Sequence, residues 1–330
     1  MVLELEVLWL SEEDVKAVLS MDDAIDAVEN AFRDHALGRL QMPPKSYLYF
    51  PKYGGDLRTM PAYLEGQNLA GVKIVNVHPA NPTEGFPTVI ALFILNSPQT
   101  GAPMSIMGAT YLTSIRTGAA GGIAAKYLAN PDSRVVGMVG AGTQARTQLM
   151  ALSRFFKIEL VIVSDQSIER AQSFERDARR FLDCDYQLTT SARDACSCDI
   201  LVTTTPARSP VVKDAWIKEG THINAIGADA KGKQELESTL TKRAKVVVDD
   251  IAQAVHSGEV NVPISEGLLK SQEIHAQIGD VIIGKAPGRT SGHEITIFDS
   301  TGLAIQDVAT GNVANRKALA AGRGIRLKLL

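Results

Sequence analysis

The sequence predicts an α/β protein: a doubly wound parallel-sheet domain inserted into an α+β domain. Three observations predict it. Short strand-like runs broken by turns fill residues 45–107. From about Thr110 onward, wholly apolar strands alternate with amphipathic helices, the pattern of a parallel sheet covered on both faces. A last helical pattern follows the final strand, so the chain returns to the domain in which it began. The expected boundaries are 1–115 plus 304–330 for the first domain and 116–303 for the inserted one.

Taken in order, the chain starts with a helical region. Ser11 with Asp14, and Ser20 with Asp23, each pair an N-cap with an acid in the first turn. Ala24, Ile25, Val28, Phe32 and Ala36 then recur at helical spacing, and Gly38 with Pro43-Pro44 ends the element. The runs "SYLYF", "RTMPAYL", "GVKIVNVH", "PTVIALFIL" and "APMSIM" read as a largely antiparallel sheet. "YLTSIRTGAAGGIAAKYLA" reads as a helix so rich in Gly and Ala that another backbone or a ligand can come very close. "RVVGMVG", "IELVIVSD", "DILVTTT", "HINAIGA", "AKVVVDD" and "ITIFDS" supply the parallel strands, with "TQARTQLMALSRFF" and "SIERAQSFERDARRFL" as helices between them. The last helix runs from Gly302 to about Ala321, where Gly322 and Gly324 stop it.

Composition excludes several classes of function. A net charge of −3 without a basic stripe argues against a nucleic-acid partner. No apolar run reaches membrane-spanning length, and the acidic start "MVLELEVLWLSEEDVK" lacks the layout of a secretory signal. Cys184, Cys196 and Cys198 form neither a disulfide framework nor a metal-ligand pattern, and read as reduced packing residues of a cytoplasmic protein. No metal site is expected.

One motif carries chemistry. The strand "RVVGMVG" runs into Gly140-Ala141-Gly142-Thr143-Gln144-Ala145, the G-x-G-x-x-A form of the Rossmann fingerprint. Gly140 permits the tight turn, Gly142 lets a pyrophosphate approach the backbone, and Ala145 lets the helix pack on the strand. A second strand leads to Asp165, 20 residues beyond Ala145, where a carboxylate accepts from the adenosine ribose hydroxyls and repels a 2′-phosphate. The expected cofactor is NAD.

The segments "MPPKSYLYF", "RTMPAYL", "VKIVNVHPANP", "SIRTGAAGGIAAKYLA", "VGAGTQA", "THINAIGADAKGKQEL" and "ITIFDSTGLAIQD" resemble the ornithine cyclodeaminase/mu-crystallin family, most closely its archaeal-type alanine dehydrogenases. The resemblance spans nearly the whole chain. It implies homodimers whose first domain binds substrate and dimerises. It also implies that Lys73, in "VKIVNVHP", is the acid/base. Alone, Lys73 would read as a strand lysine reaching for solvent. Asp229 of "GADAKGK", otherwise a simple turn residue, would contact the substrate amino group and share in proton transfer. Arg116 would face the nucleotide, Thr143 and Gln144 its phosphates, and Gly227, Lys233 and Ser300 the rim of its cleft. His78 and His222 are given no catalytic part.

Arg58, in the middle of "DLRTMPAYL", reads by itself as a solvated or salt-bridged arginine. The resemblance sharpens it, because ornithine cyclodeaminases carry a glutamate there for the far amino group of a diamino acid. A cation at that position repels such a substrate and attracts a small carboxylate, and Lys45 adds a second positive group. The implied activity is interconversion of alanine, water and NAD⁺ with pyruvate, ammonium and NADH, with a small amino acid or keto acid as substrate. Alternatives are ornithine cyclodeamination, ketimine reduction, or a crystallin-like nucleotide binder without turnover.

Overall fold

The computed structural model describes residues 5–330. The chain forms two compact units, one running up to Arg116 and resuming over Leu303–Leu330, the other being Thr117–Gly302.

The first unit is one mixed sheet with helices on one face. Its strands are β1 (Glu6–Leu10), β2 (Leu40–Gln41), β3 (Ser46–Phe50), β4 (Gly55–Leu64), β5 (Leu69–Val77), β6 (Val89–Asn96) and β7 (Pro103–Gly108). Its helices are α1 (Glu12–Val18), α2 (Met21–Ala36) and the final helix Ala304–Ala320. The pairing β2–β4–β5–β6–β7 is antiparallel, β3 also pairs with β4, and β1 joins β7 in parallel. Ser11 and Ser20 each cap a helix through reciprocal bonds with Asp14 and Asp23. The sequence reading fails at the start of the chain. Glu6–Leu10 is a strand, not part of the opening helix, and Ile325–Lys328 pairs antiparallel with it. Both are short, and β1 lies between β7 and Ile325–Lys328, which forms the edge of the sheet.

Alternation along β4, β5 and β6 decides what each face does. Met60, Ala62, Leu64, Lys73, Val75, Ala91, Phe93 and Leu95 point inward, under the final helix. Val72, Ile74, Leu92, Ile94 and Ile106 point the other way and are half-buried. The helix sits close because it presents Gly311 to the Phe93 ring; a Cβ at Gly311 would lie 2.4 Å from the ring edge.

The second unit is an eight-stranded, all-parallel sheet. Its strands are β8 (Val135–Val139), β9 (Leu160–Ser164), β10 (Asp185–Thr189), β11 (Ile200–Thr203), β12 (His222–Ala225), β13 (Lys245–Val248), β14 (Ala276–Gln277) and β15 (Thr296–Asp299). Their order is β10-β9-β8-β11-β12-β15-β13-β14, reversing direction of growth at β8. Every residue of β11, β12 and β15 is buried, as expected for strands covered on both faces. Helix α3 (Thr110–Leu128) packs its glycines on α4 (Thr143–Leu152): added Cβ atoms at Gly118 and Gly122 would meet Thr147 O at 2.4 Å and Ala151 Cβ at 2.7 Å. Its small residues therefore admit a neighbouring helix. Cys196 and Cys198 are buried free thiols in this unit, and Cys184 is half-buried. Among the described residues, no helix is long and apolar enough to cross a membrane.

Candidate active site

The parallel unit gathers predicted residues at the carboxyl ends of its strands. β8 ends in Gly140, whose φ of +96° is left-handed and whose added Cβ would stand 2.9 Å from Thr204 Oγ1. Glycine is required there. Gly142 caps α4 with an extended backbone, and nothing lies within 4 Å of where its Cβ would be. Thr143 is exposed and Gln144 half-buried, while Ala145 is buried against the sheet. The space beside Gly142, at the start of this ten-residue helix, is therefore open, as close approach of a pyrophosphate requires.

Asp165 directly follows β9. One of its oxygens accepts from the Ala141 amide at 2.9 Å and the other from Ser167 N at 3.0 Å, so the acid and the glycine turn hold each other. After β12, Gly227 donates its N–H to Glu235 Oε2, and a side chain there would run into Thr205 O at 2.2 Å. Asp229 is partly exposed and Lys233 Nζ lies 2.5 Å from its Oδ1. Ser300, after β15, is buried with its hydroxyl 3.5 Å from Asp249. These loops share one end of one sheet, where open α/β folds bind ligands.

The antiparallel unit carries the other set. Lys73 has no exposed surface, and its Nζ stands 2.8 Å from both oxygens of Asp307 on the final helix. Arg116, also buried, donates Nε to Asp307 Oδ1 at 3.0 Å and Nη1 to Gln306 Oε1 at 2.9 Å. Burial pushes the Lys73 amine down to about 7, and the positive Arg116 and Lys45 push the same way against the opposing pull of Asp307. A lysine that loses its proton near neutrality can serve as acid or base.

Arg58 lies on the same sheet face, on β4, where Met60 is the residue directly opposite Lys73. It is 5% exposed. Its Nε and Nη2 donate to the two oxygens of Asp56 at 2.8 and 3.0 Å, and its guanidinium lies 5.5 Å from the centre of the Tyr47 ring. The arginine is salt-bridged, as it reads by itself in the sequence, and it is buried on the same sheet face as Lys73. Lys45 is close enough for its charge to be felt at Lys73. His222 is buried between Thr296 and Asn224, and burial drives its pKa down to about 3, so it stays a neutral structural ring.

Sequence reasoning missed Asp307, Gln306 and Asp56. Asp307 stands in the first turn of its helix, where an acid is ordinary, and so gave no sign of its partner. The usable signal was Lys73 itself: a lysine between Val72 and Ile74 in a strand needs a buried anion. Among the described residues no group of acids, histidines and cysteines is arranged to hold a metal ion.

The profile of the ornithine cyclodeaminase/mu-crystallin family matches residues 6–321. An alanine dehydrogenase of Archaeoglobus fulgidus is 55% identical over 325 residues, covering 98% of this chain and 99% of that protein. An archaeal alanine dehydrogenase dimer solved with bound NAD superposes with a TM-score of 0.95 at 54% identity, over 99% of this chain and all of the other. The Δ1-pyrroline-2-carboxylate reductase of Thermococcus litoralis, solved with NADH and L-proline, gives a TM-score of 0.95 at 39% identity, over 97% of this chain and 100% of that one.

Proposed function

This chain belongs to the ornithine cyclodeaminase/mu-crystallin family, and on that premise we propose that it is an NAD-dependent alanine dehydrogenase. It oxidises L-alanine with water to pyruvate and ammonium and runs the reverse reductive amination. The observation that carries this reading is the buried lysine amine of Lys73, set among cations and sharing one carboxylate with Arg116, in a chain so similar along its length to an alanine dehydrogenase.

The cofactor fits the residues present. Gly140, Gly142, Thr143 and Gln144 would hold the pyrophosphate, Asp165 the adenosine ribose, and Gly227, Lys233, Ser300 and Arg116 the remainder of the nucleotide. When bound, NAD supplies the hydride acceptor. Arg58 and Lys45 hold the substrate carboxylate, with Asp56 fixing the direction of the Arg58 fork. Neutral Lys73 takes a proton as the amine becomes an imine and water adds, and gives one back when the carbinolamine expels ammonia. Asp229 shares that traffic at the amino group. A cationic pocket suits a short 2-carboxylate and disfavours the second ammonium of ornithine.

The chain is proposed to act as a homodimer, as the archaeal neighbour does. The outward apolar residues of the first sheet, Val72, Ile74, Leu92, Ile94 and Ile106, support that assembly, since a second copy would take them out of water. Light scattering on the eluting protein tests it.

NADH absorbance with a panel of amino acids, and with pyruvate plus ammonium, tests the activity. Alanine-dependent NADH formation is expected. A second reading, reduction of Δ1-pyrroline-2-carboxylate, rests on the 39% identical reductase and on the same carboxylate-binding cations. Turnover of that imine without turnover of alanine would replace the first reading with the second.

A further inference from the structure

We propose that Asp307 is a positioning residue: by dividing one buried carboxylate between Lys73 and Arg116 it aims the lysine amine and sets the proton affinity that the reaction uses. This deepens the alanine dehydrogenase reading and rests on it for the kinetic part of its test.

The geometry is specific. Asp307 Oδ1 receives Lys73 Nζ at 2.8 Å and Arg116 Nε at 3.0 Å, while Oδ2 also lies 2.8 Å from Nζ. The amine therefore straddles the carboxylate, and the guanidinium takes one edge. Arg116 cannot swing away, because its Nη1 is fastened to Gln306 Oε1, which also receives the Leu303 amide at 3.1 Å. Lys73 and Asp307 are wholly buried, so water does not screen the arrangement.

Charge counting shows what the shared acid does. The charged groups acting on Lys73 are Asp307 from the final helix, Arg116 from α3 and Lys45 from the segment before β3; the Arg58–Asp56 pair lies further along the same face on β4, and the lysine's direct neighbours on β4 and β6 are Met60 and Phe93. With no Asp307, the amine would face cations in a dry site and stay neutral throughout the working range. With Asp307 to itself, it would be an ammonium locked in a buried ion pair, unable to release a proton. One carboxylate spread over two cations lies between these cases. Burial lowers the proton affinity of the amine most, Arg116 and Lys45 add to that, and Asp307 opposes them, leaving Lys73 at about 7.

The test reads Lys73 directly. Protein carrying 13Cε-lysine is titrated by NMR, with the Lys73 signal assigned by its loss in Lys73→Arg. In Asp307→Asn the Lys73 titration is expected to move to lower pH by about 1 unit or more, the shift typical of an opposite charge at this distance. In Arg116→Gln, which removes the rival cation, it is expected to move upward. The acid limb of kcat/KM for alanine should follow in the same two directions. Asp307→Glu keeps the charge and should restore the titration toward that of the parent. A Lys73 titration unchanged in both Asp307→Asn and Arg116→Gln overturns the proposal. Should Asp307→Asn fail to fold by its thermal melt, the upward shift in Arg116→Gln decides alone. Opposed shifts in a protein that does not turn over alanine would leave the inference standing and remove the activity. Alanine turnover with unmoved titrations would do the reverse.

Discussion

Lys73 Nζ and the carboxylate of Asp307 meet at 2.8 Å across 234 residues of sequence, with neither side chain exposed to solvent. The pair ties an interior strand of the first sheet, β5, to the helix that covers it, and it puts a titratable amine where no water competes.

Replacing Lys73 by Met should remove that amine while keeping much of its volume. Steady-state alanine oxidation is expected to fall by about 10²–10⁴-fold, the usual loss for a general acid–base group. NADH affinity, followed by nicotinamide fluorescence, should stay within a few-fold of the parent. Loss of both together would mean that the variant disturbs the fold and would take Lys73 out of its assigned role.

For Arg58, substitution by Glu would set a second carboxylate beside Asp56 in a buried place, so Lys is the cleaner probe. Arg58→Lys keeps the charge and loses the two-pronged geometry. The KM for pyruvate should rise by about tenfold or more, consistent with losing a charge-assisted hydrogen bond of about 1.5–3 kcal/mol. An unaltered KM would show that the Asp56 pair is all that Arg58 serves.

Asp165→Ser tests the dinucleotide site in two ways. NADH should bind more weakly and NADPH relatively better, read as the ratio of their Kd values, because the repelling charge is gone. The Ala141 amide also loses its acceptor, so Tm should drop by the equivalent of about 1 kcal/mol. Unchanged preference between the two cofactors would place the ribose elsewhere.

Gly311→Ala introduces a methyl 2.4 Å from the Phe93 ring and should destabilise by about 1–3 kcal/mol in urea unfolding. The helix that carries Asp307 must shift to accept it, so kcat should fall as well. Adding Phe93→Leu, which shortens the ring's reach, should recover both together.

The second unit carries a pH dependence of its own. Asp299 is buried, with burial and the nearby charge of Asp249 pushing its pKa up to about 8 against the bonds donated by Glu259 N and Val260 N. Glu259, buried too, lies well above the ordinary carboxylate range for the same cause, reinforced by Glu235. The sign follows from linkage: a raised folded pKa favours folding while the group is protonated in both states, and that advantage is lost as pH rises from the unfolded value near 3.8 through about 8. Thermal stability should therefore decline across that window. In Asp299→Asn the decline should be shallower, measured by calorimetry at several pH values, and an identical slope would exclude Asp299 as a source.

Much of this architecture could be read from residues alone. The glycine turn, the strand before it and Asp165 after it form a local motif, complete within one stretch of chain. Alternation along β4 to β6 was equally legible, since period two survives whichever partner a strand finds. What could not be read is what depends on distant pairing. The partner of Lys73 lies at the other end of the chain, and an acid in the first turn of a helix has a sufficient local explanation. β1 was missed for a related reason: its strand form depends on pairing with β7 and with Ile325–Lys328, both distant in sequence. The glycines of α3 showed that something approaches closely, and only packing shows that it is α4.

The final helix has a consequence for how the protein is made. On the ribosome, strands β1 to β7 emerge first, yet the inward face of β4, β5 and β6 stays bare until Ala304–Ala320 has been synthesised. The parallel unit is complete before that moment and can fold ahead of it. A nascent sheet bearing Phe93, Leu95 and an unmatched Lys73 must wait through some two hundred codons, a period in which a chaperone's shelter would count most.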